Sequence, residues 1–279
     1  MGTPDFVYIG PDKAGSTWLH DVRGRHPQVY LSPAKGLYFF DRYYDRGLGW
    51  YAAKFDDARP EHLVRGEICT DYLAAPPAAE RMARDIPGAR LMVILRDPAE
   101  RAHSSYLHMV RSGWRAGTFL DALREYPELL EHGRYATQLE RFRRRFPREA
   151  LHVAVFDDLR ADPQAFLDEV TTWLGVDAMP LDASLREARL PAGRARSASA
   201  SRVVSWGAHV LRHSDHGELV GRVKRVPLVQ RILYHPLGEE APRLTEEGRA
   251  AVVAALGDEV SRLDEAFHLG LVRRWHWPA

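Results

Sequence analysis

A short loop near the start of the chain contains residue types that bind phosphate. Gly10 and Gly15 are separated by four residues, Lys13 stands between them, and Ser16 and Thr17 follow at the predicted start of a helix. Backbone N–H groups of a tight turn, together with the positive end of a helix, attract anions. The loop therefore predicts a binding site for a phosphate group or a similar anion.

The position of the lysine separates this loop from a Walker A motif. That motif places Lys directly after its second glycine, whereas this chain has Ser16 there and Lys13 inside the loop. The chain has only four lysines among its 39 basic residues, so a lysine at this place needs a reason. On these residues alone, an ATP-dependent phosphotransferase with a P-loop stays open as an alternative.

Apolar segments that alternate with helical patterns surround this loop. Short apolar, β-rich runs predict strands, and a repeat of about 3.6 residues predicts helices. The predicted strands cover 6–9, 63–67, 90–95 and 151–156, and the predicted helices cover 17–25, 78–85, 100–110, 135–146 and 163–174. This alternation indicates βαβ units. We therefore predict an α/β fold, a P-loop-like three-layer domain with a central parallel sheet flanked by helices.

The chain changes in character after the last predicted strand and helix. Residues 182–202 are polar and rich in Arg, Ala and Ser, which predicts a long loop. Residues 203–279 predict a mainly helical part, with Thr245 as the cap of a final helix. Because 279 residues of 45% hydrophobic composition can bury one large core, we expect a single domain over 1–279 with its core at about 5–180.

The charge balance and the cysteine content narrow the classes of function. The net charge is +1, which gives no support to a nucleic-acid or membrane-surface binder. Cys69 is the only cysteine, which excludes a disulfide framework. Met1 leads straight into an apolar segment without a secretory signal, and no stretch approaches the ~20 apolar residues of a membrane span. We therefore expect a cytoplasmic protein with no membrane or nucleic-acid partner.

The loop resembles the cofactor site of a known family. Residues 13–18, KAGSTW, are similar to the 5′-phosphosulfate loop of sulfotransferases that use 3′-phosphoadenosine-5′-phosphosulfate (PAPS), commonly Lys-x-Gly-Thr-Thr-Trp. The resemblance implies that Lys13 contacts the bridging oxygen of the phosphosulfate and stabilises the leaving phosphate, and that the Trp18 ring stacks on adenine. It also implies that the 5′-phosphate is bound by loop residues, namely Ala14, Gly15, Ser16 and Thr17.

A second motif agrees with the first. Arg96 ends a predicted strand, and Ser104 follows eight residues later on the next predicted helix. In the family, residues with this spacing bind the 3′-phosphate, the group that distinguishes PAPS from ATP. A guanidinium can hold a phosphate through two parallel hydrogen bonds, and a helical hydroxyl adds a further donor. The pair therefore favours PAPS over ATP as the nucleotide.

Several further segments resemble the heparan-type sulfotransferases. These segments are 39–41, 47–51, 66–72 and 133–141. In the predicted loop 182–202, Gly193 and Arg194 match part of a Lys-Gly-Arg phosphate contact, with Ala192 in place of the Lys. The resemblance implies that Arg194 binds the cofactor and that this loop covers it. The resemblance extends over about residues 5–200.

The general base is the point at which the chain departs from that family. Heparan-type members carry Glu-x-His-Phe-Phe-Asp, with the Glu as the base, and this chain has Gly36 and Tyr38 at the Glu and His positions. In-line sulfuryl transfer needs a group that takes the proton of the attacking hydroxyl. Our first candidate for this group is Asp41, the second is Glu67, and the third is His20.

Together these patterns predict a sulfotransferase that moves a sulfuryl group from PAPS to a hydroxyl or amine of a small-molecule or carbohydrate-like acceptor. The desulfated product would be 3′-phosphoadenosine-5′-phosphate (PAP). Because Lys13 and the loop dipoles would neutralise the phosphosulfate, we expect no metal to be required. Two alternatives stay open. One is the ATP-dependent phosphotransferase, and the other is a catalytically weak module that binds PAPS or PAP, suggested by Gly36.

Overall fold

The computed structural model describes residues 2–112, 117–186, 193–195, 234–236 and 242–278. The chain forms two compact units. Over the described residues, the first unit takes in 1–98, 131–188 and 256–279, and the second takes in 99–130 and 189–255. The expectation of one domain over the whole chain stays a prediction.

A five-stranded parallel sheet forms the centre of the first unit. Its strands are β1 (Phe6–Gly10), β2 (Val29–Leu31), β3 (Val64–Ile68), β4 (Arg90–Leu95) and β5 (Leu151–Val155). They lie in the order β2-β3-β1-β4-β5, and every neighbouring pair is parallel. The sequence predicted four of these strands within one residue at each end and missed the three-residue β2. The predicted α/β class with a central parallel sheet is confirmed.

Helices cover the sheet and explain why its central strand β1 is apolar along its whole length. All five residues of β1 are buried, and alternate side chains of a strand point to opposite faces. On one face, Tyr8 packs in a core with Leu19 of the first helix and Phe166 of a later helix. On the other face, Val7 and Ile9 are also fully buried. A parallel sheet needs this double cover, and continuous apolar runs are its sequence signature.

The helices connect successive strands as the alternating pattern predicted. In the first unit they are α1 (Ser16–Arg23), α2 (Gly47–Ala52), α3 (Ala78–Asp85), α7 (Tyr135–Arg143), α8 (Phe156–Ala161), α9 (Pro163–Leu174), α10 (Ala183–Arg186) and α12 (Leu271–Arg274). The remaining helices are α4 (Pro98–Arg111), α5 (Phe119–Glu125), α6 (Glu128–Glu131) and α11 (Glu246–Phe267). The ends of α9 follow its sequence closely, with Pro163 at the start and Gly175 in the left-handed conformation after the end.

The second unit contains α4 and α5, and aromatic side chains of these two helices are in contact. His103 of α4 meets the Phe119 ring edge-on, with 5.2 Å between the ring centroids. Thr118 and Asp121 form a capping box at the start of α5, which satisfies two backbone N–H groups there. The predicted cap of the final helix is confirmed, because Thr245 Oγ1 accepts a hydrogen bond from the Gly248 N–H over 3.1 Å.

The structure corrects the prediction of one long loop over residues 182–202. The short helix α10 lies there, and β6 (Gly193–Ala195) pairs antiparallel with β7 (Tyr234–Pro236). A strand of three residues whose partner lies about forty residues later leaves too little pattern for sequence analysis to detect. The rest of 182–202, and 203–241 apart from β7, lie outside the described residues.

We predict that the start of α9 depends on Asp162. Its carboxylate accepts hydrogen bonds from the backbone N–H groups of Gln164 and Ala165, each over 3.0 Å. Asp162→Ala should lower the free energy of unfolding by about 1 kcal/mol, whereas Asp162→Asn should change it little because Asn is an equally good cap. Urea denaturation of both variants tests this. Equal losses in the two variants would contradict a capping role.

Candidate active site

The loop between β1 and α1 has the backbone shape of an anion cradle. Lys13 (φ 61°) and Gly15 (φ 91°) both adopt the left-handed conformation, and Gly15 is the residue from which α1 starts. A Cβ on Gly15 would lie 2.8 Å from Leu159 Cδ2 of α8. Position 15 therefore needs a glycine for two reasons, because its backbone angle disfavours other residues and α8 leaves no room for a side chain.

Arg96 joins this loop to the end of β4. Its guanidinium Nη1 donates a hydrogen bond of 2.9 Å to the Lys13 carbonyl, and its Cζ lies 4.9 Å from the centre of the Phe156 ring. The Arg96 carbonyl accepts a hydrogen bond of 3.1 Å from the Tyr135 hydroxyl. The structure therefore places Arg96 beside the loop that contains Lys13, because β1 and β4 are neighbours in the sheet.

A second lysine, which sequence analysis did not select, lies at the same loop. Lys35 follows β2, and its Nζ donates a hydrogen bond of 2.7 Å to Thr17 Oγ1 in the first turn of α1. A signal for it existed, since Lys35 is one of only four lysines in the chain. The spacing along the chain gave no reason to connect residue 35 with residue 17, because that contact depends on the pairing of β2 with β3 beside β1.

Glu67, near the end of β3, is a fully buried carboxylate that accepts hydrogen bonds from three residues. The donors are the Tyr51 hydroxyl at 2.7 Å, the Leu37 N–H at 2.9 Å and the Tyr72 hydroxyl at 3.0 Å. Tyr72 in turn accepts the Phe39 N–H over 2.8 Å. Burial raises the pKa of Glu67 to about 7, although these hydrogen bonds act in the opposite direction.

Asp41 lies four residues after Leu37, whose backbone N–H donates to the Glu67 carboxylate. Its side chain is 10% exposed, and Oδ2 is 3.3 Å from Arg42 Nε. Its Oδ1 is buried and has no hydrogen-bond partner among the described residues. Burial raises the pKa of Asp41, and the neighbouring Arg42 acts in the opposite direction. Asp41 and Glu67 are close enough for the charge of Asp41 to raise the pKa of Glu67 further.

Gly36 and Tyr38, which stand where heparan-type enzymes carry Glu and His, are matched to each other sterically. Gly36 has φ 78°, and a Cβ there would lie 2.7 Å from the Tyr38 ring. Tyr38 also has a positive φ, and the Arg42 guanidinium lies 4.4 Å from the centre of its ring. The Tyr38 ring therefore fills the space next to residue 36, and both the ring and the backbone oppose a longer side chain at that position.

Trp18 and His20 lie on α1 and face the interior. The Trp18 side chain is 8% exposed, packs edge-on against Phe166 with 6.0 Å between centroids, and donates its Nε1–H to the Leu185 carbonyl over 2.9 Å. His20 is buried, with Nδ1 3.7 Å from an Asp21 carboxylate oxygen. The contact of Trp18 with adenine stays a prediction. With 8% of the residue exposed, only a small part of the ring could make that contact.

The remaining predicted residues, Ser104 and Arg194, belong to the second unit. Ser104 is half-buried on α4, eight residues after Arg96 along the chain. Arg194 is the middle residue of β6, where it pairs with His235 of β7. Both residues therefore lie on regular elements, and their predicted contacts with a 3′-phosphate stay predictions.

The described residues contain neither a candidate metal-ligand cluster nor a helix that could cross a membrane. No group of three or more His, Cys, Asp or Glu side chains within them is arranged to hold a metal ion. None of the helices in the part of the chain that the structure describes combines the length and the apolar character needed to cross a bilayer.

Comparison with known proteins finds similar sequences among the sulfotransferases. Residues 69–180 match the Sulfotransferase family. Over 198 residues, which are 62% of this chain and 22% of the relative, the sequence is 32% identical to human bifunctional heparan sulfate N-deacetylase/N-sulfotransferase 3. It is 34% identical over 105 residues to the membrane-associated sulfotransferase kil1 of Dictyostelium discoideum, which covers 37% of this chain and 22% of that protein.

The fold gives the same result. The crystal structure of a sulfotransferase from Alicyclobacillus acidocaldarius superimposes with a TM-score of 0.59 and 25% identity, over 79% of this chain and 96% of that chain. The chain is therefore similar to sulfotransferases in both sequence and fold, in agreement with the resemblance of its loop. It spans 22% of the length of the first curated relatives that it matches.

We predict that the fit between Gly36 and Tyr38 can be measured with a double-mutant cycle. Gly36→Ala should cost about 1–2 kcal/mol of stability from the left-handed backbone alone, and more because its Cβ meets the Tyr38 ring. In a Tyr38→Ala background the same substitution should cost only the backbone part. Urea denaturation of the four proteins gives the coupling free energy. A coupling of zero would contradict the proposed steric fit.

We also predict a pH dependence from Glu67. Because its pKa in the folded protein, about 7, lies above its ordinary value of 4.5, the folded state binds more protons there than the unfolded chain. Stability from this site is therefore present below about pH 4.5 and is lost as the pH rises towards about 7. Relative to Glu67→Gln, the wild type should lose stability over this range. Urea denaturation in pH steps tests this, and a constant difference between the two proteins would contradict it.

Proposed function

We propose that the protein transfers a sulfuryl group from PAPS to a hydroxyl or amine of a small-molecule or carbohydrate-like acceptor, and releases PAP. The observation that carries the proposal is the hydrogen bond of Arg96 to the Lys13 carbonyl. It joins a lysine-containing anion loop to an arginine suited to a second phosphate. PAPS carries phosphate groups at both its 5′ and 3′ positions, so one nucleotide would use both segments.

The loop supplies the groups that the leaving phosphate requires. In the proposed step the acceptor oxygen attacks sulfur, the bond from sulfur to the bridging oxygen breaks, and PAP leaves with the bonding electrons. Lys13 would stabilise the charge that develops on the bridging oxygen, and the N–H groups at the start of α1 would bind the 5′-phosphate. The loop residues in this role are Ala14, Gly15, Ser16 and Thr17. Lys35, hydrogen-bonded to Thr17, would add a second positive charge.

The 3′-phosphate would be bound by Arg96, with Ser104 and Arg194 as further donors. Support for Arg96 is its half-buried guanidinium, which is oriented by the Lys13 carbonyl and by the Phe156 ring. A planar guanidinium held in this way can present two parallel N–H groups to a phosphate. Without a 3′-phosphate, ATP would gain nothing from these contacts, which is why we prefer PAPS.

Asp41 is our proposed general base. Its Oδ1 is buried and has no hydrogen-bond partner among the described residues, so this oxygen is not engaged by another side chain or backbone group. Glu67 is less suited, because Tyr51, Leu37 and Tyr72 already occupy its two oxygens. Its raised pKa keeps Glu67 as the second candidate. The amine or hydroxyl proton would move to the carboxylate as the new bond to sulfur forms.

One observation favours a second candidate function. Gly36 replaces the Glu that serves as base in heparan-type enzymes, and the Tyr38 ring fills the space beside it. A module that binds PAPS or PAP with little turnover would need the loop and Arg96 but no base.

As for location, the single cysteine, Cys69, is buried and free, which is consistent with our proposal of a cytoplasmic protein.

We predict that PAP stabilises the protein and that ATP with Mg²⁺ does not. At 100 times its dissociation constant, a ligand that binds only the folded state adds about 2.7 kcal/mol of stability. Thermal melting with each nucleotide measures the effect. The gain with PAP should be lost in Arg96→Ala and kept in the control Arg65→Ala. Arg65 pairs with Asp5 near the start of β3, whereas the proposed site lies where β1 and β4 end.

The other outcomes separate the alternatives. A gain only with ATP and Mg²⁺ would overturn the proposal in favour of a phosphotransferase. A gain with PAP but no PAPS consumption on any hydroxyl or amine acceptor would favour the binding module. Asp41→Asn tests the base: it should retain PAP binding and lose turnover, and full turnover in this variant would exclude Asp41.

A further inference from the structure

The described C-terminal residues are fixed against the strand ends that carry the site. After α12, the side chains of Trp275 and Trp277 are 3% and 5% exposed, although residues 276 and 278 between and after them are exposed. Apolar packing explains why the indole rings are buried. It does not explain why each indole N–H, and the guanidinium before them, finds a carboxylate on the same edge of the sheet.

The first of these contacts is made next to Arg96. Trp277 Nε1 donates a hydrogen bond of 3.2 Å to Asp97 Oδ2. Asp97 is 5% exposed and directly follows Arg96 at the end of β4. A buried hydrogen bond to a carboxylate fixes the backbone of its own residue and, through one peptide unit, that of Arg96.

The other two contacts are made on α8, which supplies the ring beneath the Arg96 guanidinium. Trp275 Nε1 donates to Asp157 Oδ2 over 2.9 Å, and Arg274 Nη1 lies 2.7 Å from Asp158 Oδ1. Asp157 directly follows Phe156, whose ring centre lies 4.9 Å from the guanidinium carbon of Arg96. The segment 274–277 therefore holds both the strand end that carries Arg96 and the helix start that supports it.

We infer that residues 274–277 form a positioning segment that orients Arg96 for the 3′-phosphate of the nucleotide. This inference rests on the proposed function, because it takes Arg96 as the 3′-phosphate ligand. A guanidinium can hold a phosphate through two hydrogen bonds only when its plane is fixed. A positioning segment does not touch the nucleotide, so its loss lowers the affinity that the 3′-phosphate adds and leaves the rest of the nucleotide affinity intact.

The charge of the neighbouring residues supports this arrangement. Asp97, Asp157 and Asp158 are all within two residues of Arg96 or of Phe156, and ionised carboxylates near a phosphate oppose its binding. Each of the three has an oxygen engaged by a donor of the segment. The donors of residues 274–277 therefore partly neutralise the carboxylates at this edge of the sheet.

The test uses Trp277→Phe, which keeps an aromatic ring and removes the N–H donor. Isothermal titration calorimetry measures the dissociation constants of PAP and of adenosine 5′-phosphate, which lacks the 3′-phosphate. We expect the preference for PAP to fall roughly tenfold, as for the loss of one hydrogen bond to a charged group. The affinity for adenosine 5′-phosphate should stay at the wild-type value. Trp173→Phe is the matched control, because its Nε1 donates to the Glu149 carbonyl instead.

The outcomes distinguish this inference from the proposed function. If the wild type binds both nucleotides equally, the assignment of PAPS fails. If Arg96→Ala loses the preference for PAP and Trp277→Phe keeps it, the inference is overturned. A parallel loss of both affinities in Trp277→Phe would also overturn it, because that indicates a general structural role. If Trp277→Phe does not fold by circular dichroism, Trp275→Phe carries the same expectation through Asp157.

Discussion

The hydrogen bond from the Arg96 guanidinium to the Lys13 carbonyl sets the geometry on which the proposed cofactor site depends. It spans 2.9 Å between loops that follow two neighbouring strands. Parallel strands place their carboxyl ends at one edge, so two short loops can face one ligand there. The same bond constrains Lys13, whose left-handed backbone is tolerated because its carbonyl is held. The contact thus links the orientation of the Arg96 guanidinium, the proposed phosphate ligand, to the backbone conformation of Lys13.

Glu67 is a second organising contact of the first unit. One buried carboxylate organises three donors from separate segments, and Tyr72 extends the network to the Phe39 N–H. Burying a carboxyl group disfavours its charged form, which raises its pKa, and the surrounding donors limit that rise. A group held from three sides suits positioning better than proton transfer. Four residues after Leu37, whose N–H Glu67 accepts, lies Asp41, and its buried Oδ1 has no hydrogen-bond partner among the described residues.

Sequence alone predicted the parts of the fold that depend on local pattern. The loop from Gly10 to Thr17 could be recognised because a buried strand, two glycines and a helix start are contiguous. The strand β2 was missed because three residues show no periodicity. Lys35 and the Glu67 network were beyond reach for another reason. The contacts of Lys35 with Thr17 and of Leu37 with Glu67 join residues 18 and 30 positions apart, and the order of strands in the sheet brings those residues together.

The loss of the family base at Gly36 has a physical consequence for the proposed mechanism. Tyr38 fills the space beside residue 36, so the missing carboxylate is not simply replaced at the same place. The proposed substitute comes from the same stretch of chain, which the Glu67 carboxylate holds through the Leu37 N–H. Asp41 lies in this stretch, and Arg42 at 3.3 Å favours its ionised form against the effect of burial. In the proposed mechanism the proton acceptor therefore lies at Asp41, five residues after Gly36, while Lys13 and its loop keep their proposed role.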